Sequence, residues 1–368
     1  MRLNNELSLA ARRFRWSDMG LAAGLTLQLA PRTYGRDDDS HDFLTIETPM
    51  LPQNFRVVRD RAGDATLHGA VVAIGNFDGV HRGHKAVIAT AQRRAMELHR
   101  PAAVLTFEPH PRVFFNPGEK LFRLTDEAAK LRLLAATGLD GAIVLTFDAA
   151  LAKLTAEEFV TRILLERFRI SGAVIGFNFH FGAKRGGSPD FLVAQGKQRG
   201  FTVDIVPPLT DGGRPVSSGP IRQALEAGDL ATAADLLGFP WFVSGEVIHG
   251  DKRGRELGFP TANLALDPAC GLRHGIYAVR VAVDGRRYDA VASFGRRPTF
   301  DNGPVLLEVF LFDFTGDLYG KSIDVAFVAF IREEKAFASA SDLVRQMHDD
   351  SRRAREALAR AGDVFPPI

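Results

Sequence analysis

The chain has 368 residues, which is enough for two domains of ordinary size. Its 46 basic and 44 acidic side chains leave a formal charge of +2, so no strong field recruits nucleic acid or an anionic membrane. The single cysteine excludes an internal disulfide and fits a reducing cytoplasm, and no apolar run is long enough to span a bilayer.

Residues 1–60 are predicted to be a poorly ordered leader outside the fold. Three arginines near the start precede a mildly apolar run from Met19 to Ala30. A basic start followed by an apolar segment is also typical of a secretory signal, but Thr26 and Gln28 interrupt this run. An upstream extension included by an early start codon, with Met50 as a later candidate, is a further explanation.

The stretch from residue 71 to residue 84, VVAIGNFDGVHRGH, predicts a strand and a glycine turn, followed by a helix from about Lys85 to Leu98. Glycines let the backbone approach a ligand closely, and a helix N-terminus favours negative charge. His81 and His84 add imidazole donors at the same place. The stretch therefore indicates a nucleotide phosphate site, although the two histidines could instead only cap the helix.

Apolar runs and helical patterns alternate after this stretch. Such alternation predicts a doubly wound, mainly parallel sheet over residues 61–238. The further predicted strands are Ala102–Phe107, Ala142–Phe147, Ala173–Gly176 and Phe201–Val206. Ligands should then collect on loops at one edge of the sheet.

Two of these loops carry polar groups suited to an anion or a flat ring. In TFEPHPR, two prolines stiffen the chain and His110 is placed to meet an anion. In IGFNFHFG, Asn178 and His180 alternate with aromatic residues on which a ring could stack. The plainer alternatives are a rigid turn for the first loop and a core strand end for the second.

A third loop, VSSGPIR, leads into a helix. Ser217 and Ser218 could simply cap that helix. Functionally, the two hydroxyls, the helix N-terminal amides and Arg222 would form a second anion clamp facing His81 and His84.

From residue 239 to residue 368 the pattern changes to short strands without intervening helices. Several short antiparallel strands predict a small β-barrel, and an amphipathic helix from about Ser341 to Arg360 follows. The pair Asp284-Gly285 between two alternating runs predicts a hairpin. The strands are expected at Phe242–Ile248, Thr261–Leu266, Tyr277–Val283, Arg287–Ala292, Leu306–Phe312 and Ile323–Phe330.

The string GDKRGRELGFPTAN, residues 250–263, is the chemical signature of this second domain. Its glycines form a loop that can fold over phosphates with backbone N–H groups. Thr261 and Asn263 share a face of an extended segment, and their oxygens suit Mg²⁺. The alternative is a surface hairpin with a basic glycine loop. The candidate ligand-binding residues are Gly250, Lys252, Gly254, Arg255 and Gly258.

These motifs resemble a known family. The pattern H-x-G-H after a strand resembles nucleotidylyltransferases related to class I aminoacyl-tRNA synthetases. The longer string GNFDGVHxGH narrows the resemblance to the bacterial FAD synthetases, which carry riboflavin kinase and FMN adenylyltransferase on one chain. The 250–263 string is similar to the riboflavin kinase motif of that family, and the resemblance covers about Ala70 to Arg355.

The resemblance implies two reactions, each with ATP and Mg²⁺: riboflavin to FMN, and FMN to FAD. It implies that His81 and His84 donate to the triphosphate and that Arg222 holds the departing phosphates. Glu308 would be the base for the riboflavin 5′-hydroxyl. The other residues it implies in binding are Gly75, Asn76, Asp78 and Gly79 for the nucleotide, His110 and Asn178 for FMN, and Arg297 in the string FGRRPTF for the flavin.

The chain departs from the family pattern at three positions: Gly219 replaces a threonine, His180 an arginine, and Phe310 a histidine. Two other functions therefore stay open, namely a riboflavin kinase with a decayed adenylyl site and a flavin-binding sensor. Riboflavin, FMN and ATP are the expected partners of a cytoplasmic monomer or weak homo-oligomer. No membrane or nucleic-acid partner is expected, because the net charge is small and no basic stripe is present.

Overall fold

The computed structural model describes residues 51–59, 64–250, 258–296 and 305–368. Six parallel strands form the first sheet, in the order β1-β4-β3-β2-β5-β6. These strands are β1 (Arg56–Arg59), β2 (Val71–Ile74), β3 (Ala102–Glu108), β4 (Gly141–Thr146), β5 (Gly172–Gly176) and β6 (Thr202–Val206). The order reverses between β2 and β5, and the crevice at such a reversal is where open α/β sheets bind ligands.

Helices cover both faces of this sheet, which confirms the predicted doubly wound arrangement. Alternate residues of β2 belong to different cores: Val71 and Ala73 pack with α1, whereas Val72 and Ile74 pack with the opposite layer. The helices are α1 (Arg82–Leu98), α2 (Pro111–Phe115), α3 (Glu127–Ala135), α4 (Ala149–Lys153), α5 (Ala156–Glu158, continued as a π-helix over Phe159–Arg167), α6 (Pro189–Arg199), α7 (Ser218–Ala227) and α8 (Leu230–Leu237).

Strand β1 was not among the predicted strands. It pairs in parallel with β4 at the edge of the sheet, from Arg56 opposite Gly141 to Arg59 opposite Val144. It has only four residues with an arginine at each end, so it carries no long apolar run. Residues 51–59 of the predicted leader are therefore described, and 56–59 belong to the sheet. Residues 1–50 and 60 lie outside the described residues.

The second sheet is antiparallel, in the order β10-β13-β12-β11-β14-β9. A bridge between Ile248 and Asn263 links the ends of this order, so the sheet curves into a nearly closed barrel with a terminal helix, as predicted. Its strands are β9 (Phe242–Glu246), β10 (Ala262–Ala265), β11 (Gly275–Val283), β12 (Arg286–Arg296), β13 (Val305–Leu311) and β14 (Ser322–Arg332), and the helix is α9 (Ala340–Ala361). A short pair, β7 (Thr210–Asp211) and β8 (Arg214–Pro215), lies before α7.

The hairpin predicted at Asp284-Gly285 is confirmed. Both residues have positive φ, of 50° and 72°, as a two-residue turn between twisted antiparallel strands requires. Along β11 the side chains alternate between two cores: Tyr277 and Val279 face the barrel interior, whereas Ile276 and Ala278 face α9.

The parallel sheet and the barrel share a continuous apolar core. Arg132 of α3 forms a bidentate ion pair with Asp324 of β14, at 2.6 and 2.8 Å, and both side chains are largely buried. Trp241, just before β9, packs against Phe122 of the first domain and Phe327 of the barrel. Within the described residues, no helix is both long enough and apolar enough to cross a membrane.

Candidate active sites

His81 and His84 lie together at the start of α1, directly beyond the carboxyl end of β2. Their rings stack with centroids 3.6 Å apart and an angle of 19° between planes. The Nδ1 atom of His81 accepts a hydrogen bond from the backbone N–H of His84 at 3.2 Å, so His81 also caps the helix. Capping the helix is therefore compatible with binding a ligand, because capping uses the Nδ1 atom of His81 and leaves its Nε2 atom available to a ligand.

Both imidazoles are neutral near pH 7. Burial, together with the cations Arg222 and Lys85, lowers the pKa of His81 to about 4. Burial and the adjacent His81 lower the pKa of His84 well below its ordinary value. Since Nδ1 of His81 accepts a hydrogen bond, its proton resides on Nε2, which is a donor. The Nδ1 atom of His84 is buried, and within the described residues it has no hydrogen-bond partner.

Two glycines of the motif are required by close packing. At Gly83, a Cβ atom would lie 2.8 Å from the carbonyl oxygen of Val216, so the turn touches the segment that leads into α7. At Gly79, φ is +83° and a Cβ atom would lie 2.8 Å from the Leu124 side chain. The glycines thus bring three distant segments together around the histidines.

The Asp78 side chain is buried and bonded to other protein groups. Its carboxylate is 3% exposed and accepts hydrogen bonds from the backbone N–H groups of Leu124 and Thr125, at 2.9 and 3.1 Å. The Nη2 atom of Arg222 donates to the same carboxylate at 2.5 Å. In this structure Asp78 therefore organises protein groups, above all the arginine predicted to hold phosphates.

Arg222 is held at a second point, since its Nε donates to the carbonyl oxygen of Phe122. These two bonds fix the plane of the guanidinium group and leave Nη1 for a ligand. Ser218 of α7 donates to the carbonyl oxygen of Asp78 at 3.0 Å. Ser217 occupies the N-cap position of α7 but makes no side-chain capping bond, so its hydroxyl is not used in that way.

His110 faces the same region from the loop after β3. It caps α2, with Nδ1 accepting from the backbone N–H of Arg112 at 3.1 Å. Burial lowers the pKa of His110 to about 4; Arg123, Arg222 and Lys130 also lower it, while Asp78 opposes the shift. Because β3 is the parallel neighbour of β2, the TFEPHPR loop lies at the same edge of the sheet as the His81/His84 turn.

A buried ion network that the sequence did not reveal lies beneath this loop. Lys130 is 2% exposed, and its Nζ lies 2.5 Å from the carboxylate of Glu108, which also pairs with Arg123 at 2.7 Å. Burial would raise the pKa of Glu108, but these two cations outweigh it and lower that pKa. The Nε of Arg123 is buried and has no partner within the described residues.

The polar residues predicted at other strand ends are more exposed than His81 and Asp78. Asn76 is exposed, and its carbonyl oxygen accepts from the Thr106 hydroxyl at 3.2 Å. Asn178 and His180 are exposed beyond β5, and His180 Nδ1 lies 3.0 Å from the carbonyl oxygen of Asn178. No contact within the described residues joins Asn178 to the histidine pair, so its predicted role stays a prediction.

In the barrel, strand register brings the predicted kinase residues side by side. Asn263 of β10 is paired with Glu308 of β13, and Glu308 is paired with Ser293 of β12. Directly paired residues of antiparallel strands project to the same face. Leu307 and Val309, on either side of Glu308, face the barrel interior, so the row lies on the outer face of the barrel, which α9 partly covers. Ser293 is buried and was not predicted, because only the register reveals it.

The glycine loop begins against this row. A Cβ atom at Gly250 would lie 2.4 Å from the Nδ2 atom of Asn263, so the backbone of the loop rests on that amide. Gly258, where the loop rejoins the barrel, has a φ of +85°. Lys252, Gly254, Arg255 and Arg297 lie outside the described residues.

The donor chemistry at Asn263 and Thr261 fits a hard cation. Asn263 is buried, and its Nδ2 points to the carbonyl oxygen of Thr261 at 3.4 Å, which leaves Oδ1 as an acceptor. With the Thr261 hydroxyl this makes an all-oxygen set, the kind that Mg²⁺ prefers. Within the described residues, no cluster of three or more histidine, cysteine or acidic side chains offers an alternative metal site.

Aromatic rings border the row beside α9. Phe310, where the family pattern has histidine, packs edge-on against Phe259 with centroids 5.0 Å apart, and Phe259 meets His348 at 5.0 Å. The substitution at Phe310 thus extends an apolar wall. Nothing in the structure explains what it changes in the chemistry.

This two-domain architecture, with the imidazole pair and Arg222 at the switch point of the first sheet, fits a nucleotide-dependent transferase. A family model described as FAD synthetase matches residues 63–220, and one described as riboflavin kinase matches residues 237–358. The chain belongs to the bifunctional riboflavin kinase/FMN adenylyltransferase family.

Individual relatives are similar over nearly their whole lengths. A bifunctional riboflavin kinase/FMN adenylyltransferase from Pseudomonas fluorescens is 42% identical over 79% of this chain and 94% of that protein. The one from Escherichia coli strain K12 is 41% identical over the same shares. A crystal structure described as a macrolide-efflux protein from Streptococcus pneumoniae is 33% identical, with a TM-score of 0.73 over 81% of this chain and 98% of that one.

Proposed function

We propose that this chain makes FAD in two steps, phosphorylation of riboflavin by ATP to give FMN and adenylylation of FMN by a second ATP with release of pyrophosphate. The observation that carries the proposal is the convergence of His81, His84 and Arg222 at the switch point of the first sheet. The histidine pair and Arg222 come from segments far apart in the chain, yet they lie around one place.

For the adenylyl step, a phosphate oxygen of FMN attacks the α-phosphorus of ATP, and the bond from that phosphorus to the bridging oxygen of pyrophosphate breaks. Such transfers depend chiefly on positioning and charge stabilisation. The Nε2–H of His81 donates to the triphosphate as a neutral group, with His84 beside it. The Nη1 of Arg222 holds the departing pyrophosphate.

Residues around that core have supporting roles in the proposal. The backbone of Gly75, Asn76 and Gly79 lines the nucleotide, and Asp78 acts by fixing Arg222. Ser217, whose hydroxyl does not cap α7, donates to a phosphate, with Ser218 at the same helix start. His110 and Asn178 help to place FMN from the neighbouring strand ends.

For the kinase step, Glu308 accepts the proton of the riboflavin 5′-hydroxyl as its oxygen attacks the γ-phosphorus of ATP, and ADP leaves. The Thr261 hydroxyl and the Asn263 amide oxygen would hold Mg²⁺, which would neutralise phosphate charge. Gly250, Gly258 and, from the sequence motif between them, Lys252, Gly254 and Arg255 contribute to binding of the phosphates. Arg297, from the string FGRRPTF, contributes to binding of the flavin.

We also propose the wider setting of this activity. The adenylyltransferase domain extends from β1 (Arg56–Arg59) to residue 238, and the kinase domain extends over residues 239–368. Dependence on ATP favours the cytoplasm, and the chain acts there as a monomer or weak homo-oligomer without nucleic-acid or membrane partners.

Incubation of the purified protein with riboflavin, ATP and Mg²⁺, followed by separation of the flavins, tests this function. We expect FMN to appear first and FAD to follow, and a chelator to stop both. FMN alone would indicate a decayed adenylyl site, for which the departures at Gly219 and His180 provide a reason. Unchanged riboflavin would indicate a flavin-binding sensor.

A further inference from the structure

The segment from Phe122 to Thr125, which we call the shared segment, touches both domains. On the adenylyl side, the N–H groups of Leu124 and Thr125 donate to Asp78, and the carbonyl oxygen of Phe122 accepts from Arg222. The hydroxyl of Thr125 also accepts from the backbone N–H of Gly79 at 3.1 Å. The shared segment thus supplies most of the contacts that hold the Asp78–Arg222 pair.

The other side of the shared segment rests on the barrel. The indole Nε1–H of Trp241 donates to the carbonyl oxygen of Leu124 at 2.9 Å, in a buried position. The Phe122 ring meets the Trp241 ring edge-on, with centroids 5.8 Å apart. A Cβ atom at Gly271 would lie 2.9 Å from the Phe122 ring, so the barrel chain closes directly on this residue.

Trp241 is itself anchored in the barrel. It is 3% exposed, and its ring lies 5.1 Å from that of Phe327 in β14. Its carbonyl oxygen accepts from the backbone N–H of Phe327 at 2.8 Å. The indole therefore cannot turn away from Leu124 without disturbing the barrel core.

From these contacts we propose that Trp241, a residue of the kinase half, is a positioning residue for adenylyl transfer. It acts through Leu124, which fixes the shared segment, and the shared segment in turn fixes Asp78 and the guanidinium plane of Arg222. The inference rests on the proposed function. It adds that the adenylyl site is complete only when the barrel is docked.

The test is Trp241→Phe, which keeps an aromatic ring and removes the N–H donor. We expect the KM for ATP in FAD formation from supplied FMN to rise about tenfold, because the arginine that holds the phosphates loses its fixed position. Riboflavin phosphorylation should change less than about twofold, since the proposed kinase residues lie on the outer face of the barrel. The assays belong at a temperature where circular dichroism shows the variant folded.

Tyr277→Phe is the matched control. It also removes one buried donor from a ring that packs on Phe327, but that hydroxyl donates to the carbonyl oxygen of Arg273 and not to the shared segment. The control should leave the KM for ATP of the adenylyl step near its original value. If Trp241→Phe fails to fold, Phe122→Leu loosens the same contact from the other side and should raise that KM.

A double-variant comparison separates positioning from general damage. In an Arg222→Lys background, Trp241→Phe should add less than about a twofold effect, because both changes act on one group. The inference would be overturned if the effects of Trp241→Phe and Arg222→Lys multiplied in the double variant. It would also be overturned if Trp241→Phe lowered FMN formation and FAD formation equally, or left the KM for ATP of the adenylyl step unchanged. If the original protein formed no FAD from FMN, the proposed function would fail instead.

Discussion

The two candidate sites are assembled in different ways. In the parallel sheet, side chains from segments more than a hundred residues apart are held by buried hydrogen bonds, as in the pair of Asp78 with Arg222, 144 residues away. In the barrel, Asn263, Glu308 and Ser293 are neighbours because three antiparallel strands are in register. The first site depends on individual polar contacts, whereas the second depends on the backbone ladder of one sheet.

This difference predicts different sensitivities. At the adenylyl site, a change in a residue that never touches substrate should still affect catalysis, because that residue holds one that does. In the kinase site, the strand ladder keeps its geometry when a single side chain is altered, so effects should be confined to the residue that carries the chemistry. The predictions below test this contrast, beginning with the largest effect.

The largest effect is expected for Glu308→Gln. The amide is nearly isosteric but cannot take a proton, so riboflavin kinase turnover should fall by about 10²- to 10⁴-fold. The variant should fold and bind riboflavin, and it should still convert supplied FMN to FAD. Near-normal kinase turnover would rule out Glu308 as the base.

His81→Ala should lower FAD formation by about 10²- to 10³-fold, the usual cost of removing a preorganised donor from a developing charge. FMN formation from riboflavin is the control within the same protein and should persist. Parallel loss of both activities would contradict the separation of the two sites.

Asp78→Asn should reduce the free energy of unfolding by about 3 kcal/mol, since it leaves a largely buried arginine without its anion. The KM for ATP of the adenylyl step should rise with it, and kinase activity should not change. Chemical denaturation measures the first quantity. Glu157→Gln, which breaks an exposed pair with Arg199, is the control and should cost less than about 1 kcal/mol.

A smaller effect concerns pH. The pKa of His81 is lowered to about 4 in the folded protein, against an ordinary value of 6.5, so the unfolded chain binds the proton more readily. The contribution of His81 to the free energy of unfolding is therefore fully present above pH 6.5 and is lost as the pH falls toward 4. Between pH 7 and pH 5 the free energy of unfolding should fall by about 2 kcal/mol. His81→Gln should flatten the unfolding free energy over this range. An identical pH dependence in both proteins would show that His81 does not titrate in this way.

Sequence patterns predicted most of the fold because local periodicity reports it directly. The alternating strands of the barrel and the hairpin at Asp284 follow from spacing alone, and the structure confirms them. Strand β1 was missed because two of its four residues are arginines.

Sequence motifs selected His81, Asn263 and Glu308 as candidate site residues, but they could not reveal which groups hold each other. The pairing of Lys130 with Glu108 and the bond from Trp241 to Leu124 join segments that no spacing rule connects. The motif also could not show that the Asp78 carboxylate bonds to Leu124 and Arg222, which only the folded chain brings together.

The central claim is that this chain carries two independent sites. Mixing the His81→Ala and Glu308→Gln proteins tests it most directly, because each substitution removes the activity of a different site. His81→Ala and Glu308→Gln should each fail to make FAD from riboflavin, the first stopping at FMN and the second leaving riboflavin unchanged. An equimolar mixture with ATP and Mg²⁺ should form FAD after FMN has accumulated. A mixture of folded variants that makes FMN but no FAD would contradict the existence of two independent sites on this chain.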